Sequence, residues 1–214
     1  MQKKGELSVV NQFFTVEDKS IEREIVEKKS RFIAKIMKVN SEQEANEKIA
    51  EVKKLHRDAR HNVFAYRIAN GSERFSDDGE PSGTAGVPIL NILRGEKIEN
   101  VLVVVTRYFG GILLGTGGLV RAYSSAAKEA ILAISKVEMK LCNEYELLID
   151  YNYYDIVNHY LNKNKLVVKS TNYNEKICIN IIVEKDYHEK FLSEIEDITD
   201  RNAVLKVIDT YYYI

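Results

Sequence analysis

Residues 101–123 read VLVVVTRYFGGILLGTGGLVRAY and contain the strongest structural signals in the chain. The first five residues are apolar and mostly β-branched, a pattern typical of a strand buried on both faces. A glycine-rich segment follows, and apolar and small residues then recur at helical spacing from Leu119 to Ile134. The stretch therefore predicts a strand, a glycine loop and a helix, in that order.

This order places backbone N–H groups at the start of a helix, where the helix dipole favours negative charge. Arg107 ends the predicted strand and Arg121 lies in the first helical turn, so two cations can flank one point. We therefore expect an anion such as a phosphate to bind here. The backbone groups expected to contribute are those of Gly115, Thr116, Gly117 and Gly118.

The glycine pattern matches no standard phosphate motif. A P-loop would end in Gly-Lys-Ser/Thr, and a dinucleotide fingerprint would have glycine where this chain has Val120. The glycines could instead allow the helix to pack closely against the strand. From the residues alone, both interpretations stay open.

The composition favours a globular protein with a mild charge asymmetry. The chain has 214 residues, 45% of them hydrophobic, and a formal net charge of −1, which argues against nonspecific nucleic-acid binding through an entirely basic surface. Residues 1–138 carry 22 Lys and Arg against 19 Asp and Glu, whereas residues 139–214 carry 9 against 13. We therefore expect an anion-binding face in the N-terminal part.

The termini and cysteines indicate a cytoplasmic protein. Residues 1–20 do not resemble a secretory signal, and no apolar run reaches the roughly 20 residues that a membrane span requires. Cys142 and Cys178 lack metal-site spacing, so we expect reduced thiols. We expect no cofactor, no resident metal and no membrane partner.

Backbone punctuation is concentrated in one third of the sequence, because ten of the 11 glycines and both prolines lie between Gly71 and Gly118. Ser41 and Glu44 form a capping box that opens a helix. The elements predicted before residue 101 are strands within 12–38, a helix with Ala45, Ile49, Val52, Leu55 and Ala59 on one face, a strand over 62–68, a loop over 75–88 and a short helix over 89–93.

The C-terminal part predicts a βαββαβ unit, with a domain boundary near residues 135–143. The predicted strands cover 145–151, 165–173, 176–184 and 203–213, and the helices cover 154–163 and 186–195. This order is that of the ferredoxin-like split unit. We therefore predict an α+β chain with domains over 1–138 and 139–214.

Three carboxylates, those of Asp77, Asp78 and Glu80, fall within four residues. They could hold a divalent cation through oxygen ligands. They could instead form a solvated turn, with an aspartate capping a helix near Ser82. His61 could serve as a general base or an anion ligand, or could simply be hydrogen-bonded within the fold.

Two further arginines are candidates for phosphate contact. Arg31 precedes an aromatic residue at a predicted strand start, and Arg60 directly precedes His61. We group them with the glycine segment as one expected groove. Its members are Arg31, Arg60, His61, Arg107, Gly115, Thr116, Gly117, Gly118 and Arg121.

Four strings resemble the YigZ/IMPACT family: SRFIA at 30–34, ARHN at 59–62, DDGEPSGTAG at 77–86 and the segment 107–123. The resemblance implies an N-terminal domain like the second domain of ribosomal protein S5. It also implies a ferredoxin-like C-terminal domain similar to a terminal domain of the translocating elongation factor. Eukaryotic relatives regulate translation by binding the partner of a stress kinase, and they use a further N-terminal domain to do so. Their mechanism is therefore not carried over to this chain.

Three functions follow as hypotheses. The first is a translation-associated regulatory protein that binds RNA, the ribosome or a phosphate-bearing ligand through the groove. The second is a metal-assisted hydrolase or transferase of phosphoryl or acyl groups that uses Asp77, Asp78, Glu80 and His61. The third is a protein-binding adaptor that uses tyrosine-rich surface of the C-terminal domain.

Overall fold

The computed structural model describes residues 11–69 and 71–214. As predicted, the protein has an α+β fold, and the described residues form two sheets and five α-helices. They fall into two compact units, one of residues 13–138 and the other of residues 139–214 with 11–12. Within the described ranges, no helix combines the length and apolar character needed to cross a bilayer.

A mostly buried central strand, β6, organises the N-terminal unit. The sheet has the order β2-β3-β6-β4-β5, and all its neighbouring strands are antiparallel. Every residue of β6 except Tyr108 is buried, which confirms the strand predicted from its β-branched run. The strands up to β6 are β1 (Gln12–Val16), β2 (Ile21–Glu27), β3 (Ser30–Lys38), β4 (His61–Arg67), β5 (Glu73–Ser76) and β6 (Val101–Tyr108).

Helices cover both faces of this sheet. α1 (Glu42–Leu55) packs on one face, and α2 (Gly86–Gly95) and α3 (Gly115–Ala133) pack on the other. The predicted capping box is present, since the Ser41 hydroxyl accepts from the Glu44 amide at 3.1 Å. α1 ends at Leu55, which is itself 68% exposed, so the predicted face holds for Ala45, Ile49 and Val52 and was wrong for Ala59.

Three boundaries differ from the sequence prediction. α3 begins at Gly115 rather than Leu119, so its glycines lie in the first helical turn instead of a loop. α2 begins at Gly86 rather than Ile89, and the predicted loop over 75–88 starts inside strand β5. Glycine has a low helix propensity, which is why the sequence pattern placed both helix starts too late.

The C-terminal unit has the predicted βαββαβ element order. Four strands of its five-stranded sheet pair in the order β8-β9-β7-β10, each antiparallel to the next, and its core includes Tyr145, Phe191 and Ile195. β7 begins at residue 136 instead of 145, so the division between the units falls within this strand. The elements are β7 (Lys136–Ile149), α4 (Tyr154–Lys163), β8 (Val167–Tyr173), β9 (Ile177–Glu184), α5 (His188–Ile198) and β10 (Val204–Tyr213).

Candidate anion-binding site

Strand register brings several candidate residues to one end of the N-terminal sheet. His61 pairs with Arg107 across β4 and β6, and the start of α3 follows β6 after a short loop. These segments line a cavity of about 410 Å³, here called the Arg60 cavity. Its lining includes Arg60, His61, Glu80, Arg107, Phe109, Gly115 and Thr116.

Arg107 is buried and already paired. Its Nη1 donates to Glu80 Oε1 at 2.6 Å, and its guanidinium lies 5.4 Å from the Phe32 ring centre and 5.7 Å from that of Phe109. Its Nε is buried and has no hydrogen-bond partner among the described residues. The arginine therefore brings little uncompensated charge to the cavity but retains one unused donor.

Glu80 gathers several groups around one carboxylate oxygen. Its Oε1 also accepts from the Tyr123 hydroxyl at 2.8 Å and lies 3.7 Å from His61 Nε2. Burial, and then the negative charge of Glu80, raise the pKa of Tyr123, so this phenol stays protonated as a donor. The Glu80–Arg107 pair joins residues 27 apart in the chain, and no local sequence pattern identifies such a contact.

The other two carboxylates serve the fold. Asp77 accepts from the amides of Gly83, Ala85 and Gly86 at 2.8, 3.0 and 2.8 Å and so caps α2. Asp78 accepts from the Lys53 ammonium at 2.6 Å. This arrangement supports the interpretation of an aspartate cap over that of a metal ligand.

The hypothesis of a metal-assisted enzyme required Asp77, Asp78, Glu80 and His61 to converge. Only Glu80 approaches the imidazole, whose Nδ1 lies 2.8 Å from the Asp78 carbonyl oxygen. Across residues 11–69 and 71–214, no three His, Cys, Asp or Glu side chains are placed to hold a metal ion. The convergence on which that hypothesis depended is therefore wrong.

Among the residues that the structure describes, no side chain caps the start of α3. The residue before it, Leu114, accepts no capping bond, and the first turn contains no acidic residue. Amides in a first helical turn have no partner within the helix. The backbone of Gly115 and Thr116 therefore brings donors and the positive end of the helix dipole to the Arg60 cavity.

Arg60 and Phe109 form the solvent-facing part of the cavity. The Arg60 guanidinium lies 5.5 Å from the centre of the Phe109 ring, which is 40% exposed. Among the described residues, no carboxylate lies within ion-pair distance of Arg60. Phe109 was not among the predicted site residues, although it follows Arg107 by only two positions.

The remaining predicted cations lie elsewhere. Arg31 donates twice to Glu24, at 2.8 Å each, and this contact raises the pKa of Arg31 and lowers that of Glu24. Arg121 and Gly118 line a separate cavity of about 380 Å³. The expectation that Arg107 and Arg121 flank one point is not met by the lining of either cavity, because α3 starts one turn earlier than predicted.

Comparison with known proteins places this geometry in a family. The model of the Impact N-terminal domain matches residues 28–131, which contain the Arg60 cavity. IMPACT family member YvyE of Bacillus subtilis (strain 168) is 38% identical over 200 residues, covering 92% of each chain. The chain belongs to the IMPACT family.

Two further matches extend over most of this IMPACT family chain. IMPACT family member YigZ of Escherichia coli (strain K12) is 31% identical over 85% of the chain and 91% of its own length. A solved structure titled as that of a hypothetical protein is 28% identical, with a TM-score of 0.62, and the match covers 94% of this chain and 98% of that one. The YigZ/IMPACT resemblance identified from the four strings is thereby confirmed.

Proposed function

We propose that this IMPACT family protein is translation-associated, cytoplasmic and noncatalytic, and that it binds RNA through the Arg60 cavity. The observation that carries the proposal is the meeting of uncapped α3 amides with an unpaired exposed arginine in one cavity. Backbone amides at a helix start bind phosphate well, and an arginine beside them adds a permanent charge.

The aromatic part of the cavity favours RNA over a free phosphate ion. Phe109 offers part of its ring to solvent, and bases stack on such rings with about 1–3 kcal/mol of stabilisation per base. Arg60 lies over the same ring and can contact a phosphate next to the stacked base. A nucleotide therefore uses both the apolar and the polar lining.

The test is a salt titration of RNA binding. Anisotropy of a labelled single-stranded RNA is measured for the wild type and for Arg60→Ala across a series of KCl concentrations. Loss of one phosphate contact should make the negative slope of log K against log salt shallower by about 0.7. We expect affinity to fall about tenfold at low salt.

Arg23→Ala is the matched control, because Arg23 is an exposed arginine on β2 that contacts only the Glu22 carbonyl oxygen among the hydrogen bonds of the described chain. It makes the same change in net charge away from the cavity. Equal affinities and slopes for Arg60→Ala and Arg23→Ala would show that the cavity does not bind the RNA.

We also infer the finer fold assignment implied by the family resemblance. The C-terminal unit has the strand order fourth-first-third-second in its βαββαβ sequence, which supports a ferredoxin-like domain over 139–214. We propose an S5 domain 2-like domain over 1–138. An experimental structure that superposes poorly on reference domains of these two folds would contradict this assignment.

A further inference from the structure

The second cavity, lined in part by Arg121, is also lined by Lys28, which was not among the predicted site residues. It lies between the β2–β3 hairpin and α3, and its lining includes Glu27, Lys28, Leu114, Gly118 and Arg121. Leu114 also lines the Arg60 cavity. The two cavities therefore adjoin at the residue that immediately precedes α3.

The hairpin holds its lysines in an unusual backbone conformation. Glu27 pairs with Ser30, so Lys28 and Lys29 form a two-residue turn with φ of 46° and 65°. Turns with two left-handed residues strongly favour Asn-Gly, because side chains such as lysine are strained there. The stability of the turn therefore does not explain why both positions are occupied by lysine.

The backbone around Gly110 fixes this turn. A Cβ atom at Gly110 would lie 2.0 Å from the carbonyl carbon of Lys29, so only glycine fits at this approach. The Gly110 amide also donates to the buried Ser30 hydroxyl at 3.1 Å. The loop that leads to α3 thus holds the turn beside the second cavity.

The cavity carries an excess of positive charge. Lys28 and Arg121 are exposed, and neither has a carboxylate within ion-pair distance among residues 11–69 and 71–214. Glu27 is the acidic side chain in its lining. Arg31 on the adjacent strand differs, since Glu24 neutralises it.

We propose that Lys28 and Arg121 bind a second phosphate of the same RNA strand whose base and first phosphate occupy the Arg60 cavity. This inference rests on the proposed function and extends it from one subsite to two. The shared Leu114 places the two cavities side by side, and the Phe109 ring in the lining of the first favours RNA over an acidic polypeptide. The RNA strand therefore passes over the start of α3.

The experiment compares RNA lengths in the full chain. The double variant Lys28→Ala/Arg121→Ala should bind a longer single-stranded RNA about tenfold more weakly, and the magnitude of its salt slope should fall by about 0.7, because both cations contact one phosphate. A mononucleotide should bind the variant and the wild type equally. Arg23→Ala/Lys128→Ala, which removes two exposed cations, should change neither affinity by as much as twofold.

A second variant guards against misfolding. Lys28→Asn/Lys29→Gly supplies the residues that the turn geometry favours, so its thermal midpoint should rise while its affinity for longer RNA falls. A loss of affinity in a more stable protein supports a direct role for the lysine. Retained affinity in this variant and in the double alanine variant would overturn the proposal.

The outcomes separate this proposal from the one on which it rests. If Arg60→Ala weakens binding and Lys28→Ala/Arg121→Ala does not, the second subsite alone is wrong. If neither affects binding, the proposed function fails as well. Polyglutamate and unlabelled RNA of equal charge are also compared as competitors of the longer RNA. If the two displace it equally, the second subsite recognises negative charge alone, and its assignment to RNA is overturned.

Discussion

The starts of α2 and α3 each present the positive end of a helix dipole, but they differ in the charge that lies against it. At α2, Asp77 accepts three amide hydrogen bonds and places a negative charge against the helix dipole. At α3, no described residue supplies a side-chain cap, and the first turn contains no acidic residue. A carboxylate therefore completes the start of α2 internally, whereas no described residue places such a charge at the start of α3.

The largest effect should come from Glu80→Gln, because Glu80 lies in the loop that caps α2 and also pairs with Arg107 beside α3. The substitution leaves the buried guanidinium without its counter-charge while keeping one acceptor oxygen. Breaking a buried ion pair costs about 3–5 kcal/mol, so we expect about 3 kcal/mol lower stability in urea unfolding.

Glu24→Gln is the matched control, since it makes the same change in an exposed pair with Arg31. Exposed ion pairs contribute little because solvent screens them. The Arg107 charge, once released, should also make Glu80→Gln gain more stability from added sulfate than the wild type does. Equal losses of stability in the two variants would show that the Glu80–Arg107 pair does not hold the α2 loop against β6.

The second prediction breaks the internal cap. Asp77→Ala removes the acceptor for the Ala85 and Gly86 amides at the start of α2 and for the Gly83 amide in the loop before it, and we expect a loss of about 2 kcal/mol in the free energy of unfolding. Asp77→Asn should lose roughly half as much, because one oxygen can still accept from Ala85 and Gly86. A wild-type midpoint for Asp77→Ala would contradict the capping role.

Several elements of the N-terminal unit could be predicted from local sequence, but the contact between Glu80 and Arg107 could not. The run over 101–105 identifies the central strand because both faces of β6 are buried, and the capping box at Ser41 identifies the start of α1. The start of α3 was misplaced because its first turn contains three glycines, whose helix propensity is low, and no apolar residue before Leu119. The Glu80–Arg107 contact depends on the fold bringing distant segments together, and sequence spacing carries no signal for it.

The third prediction gives α3 the internal charge that α2 already has. Thr116 is exposed in the first turn of α3, so Thr116→Glu places a carboxylate near the positive end of the dipole. We expect about 0.5 kcal/mol higher stability and at least tenfold weaker RNA binding, since the introduced charge competes with phosphate. Thr116→Gln has nearly the same shape without the charge and should retain both wild-type values.

The smallest effect should come from inorganic phosphate acting on the unmodified protein. A ligand that binds only the folded state stabilises it by about 1.4 kcal/mol at ten times its dissociation constant, and less at lower occupancy. The α3 start should therefore give the wild type a small rise in thermal midpoint with phosphate, measured against chloride at matched ionic strength. Thr116→Glu should lose this rise, because its own carboxylate occupies the dipole, whereas Thr116→Gln should keep it. A rise of equal size in all three proteins would mean that phosphate acts elsewhere on the surface, and the α3 start would then be uncapped without being an anion site.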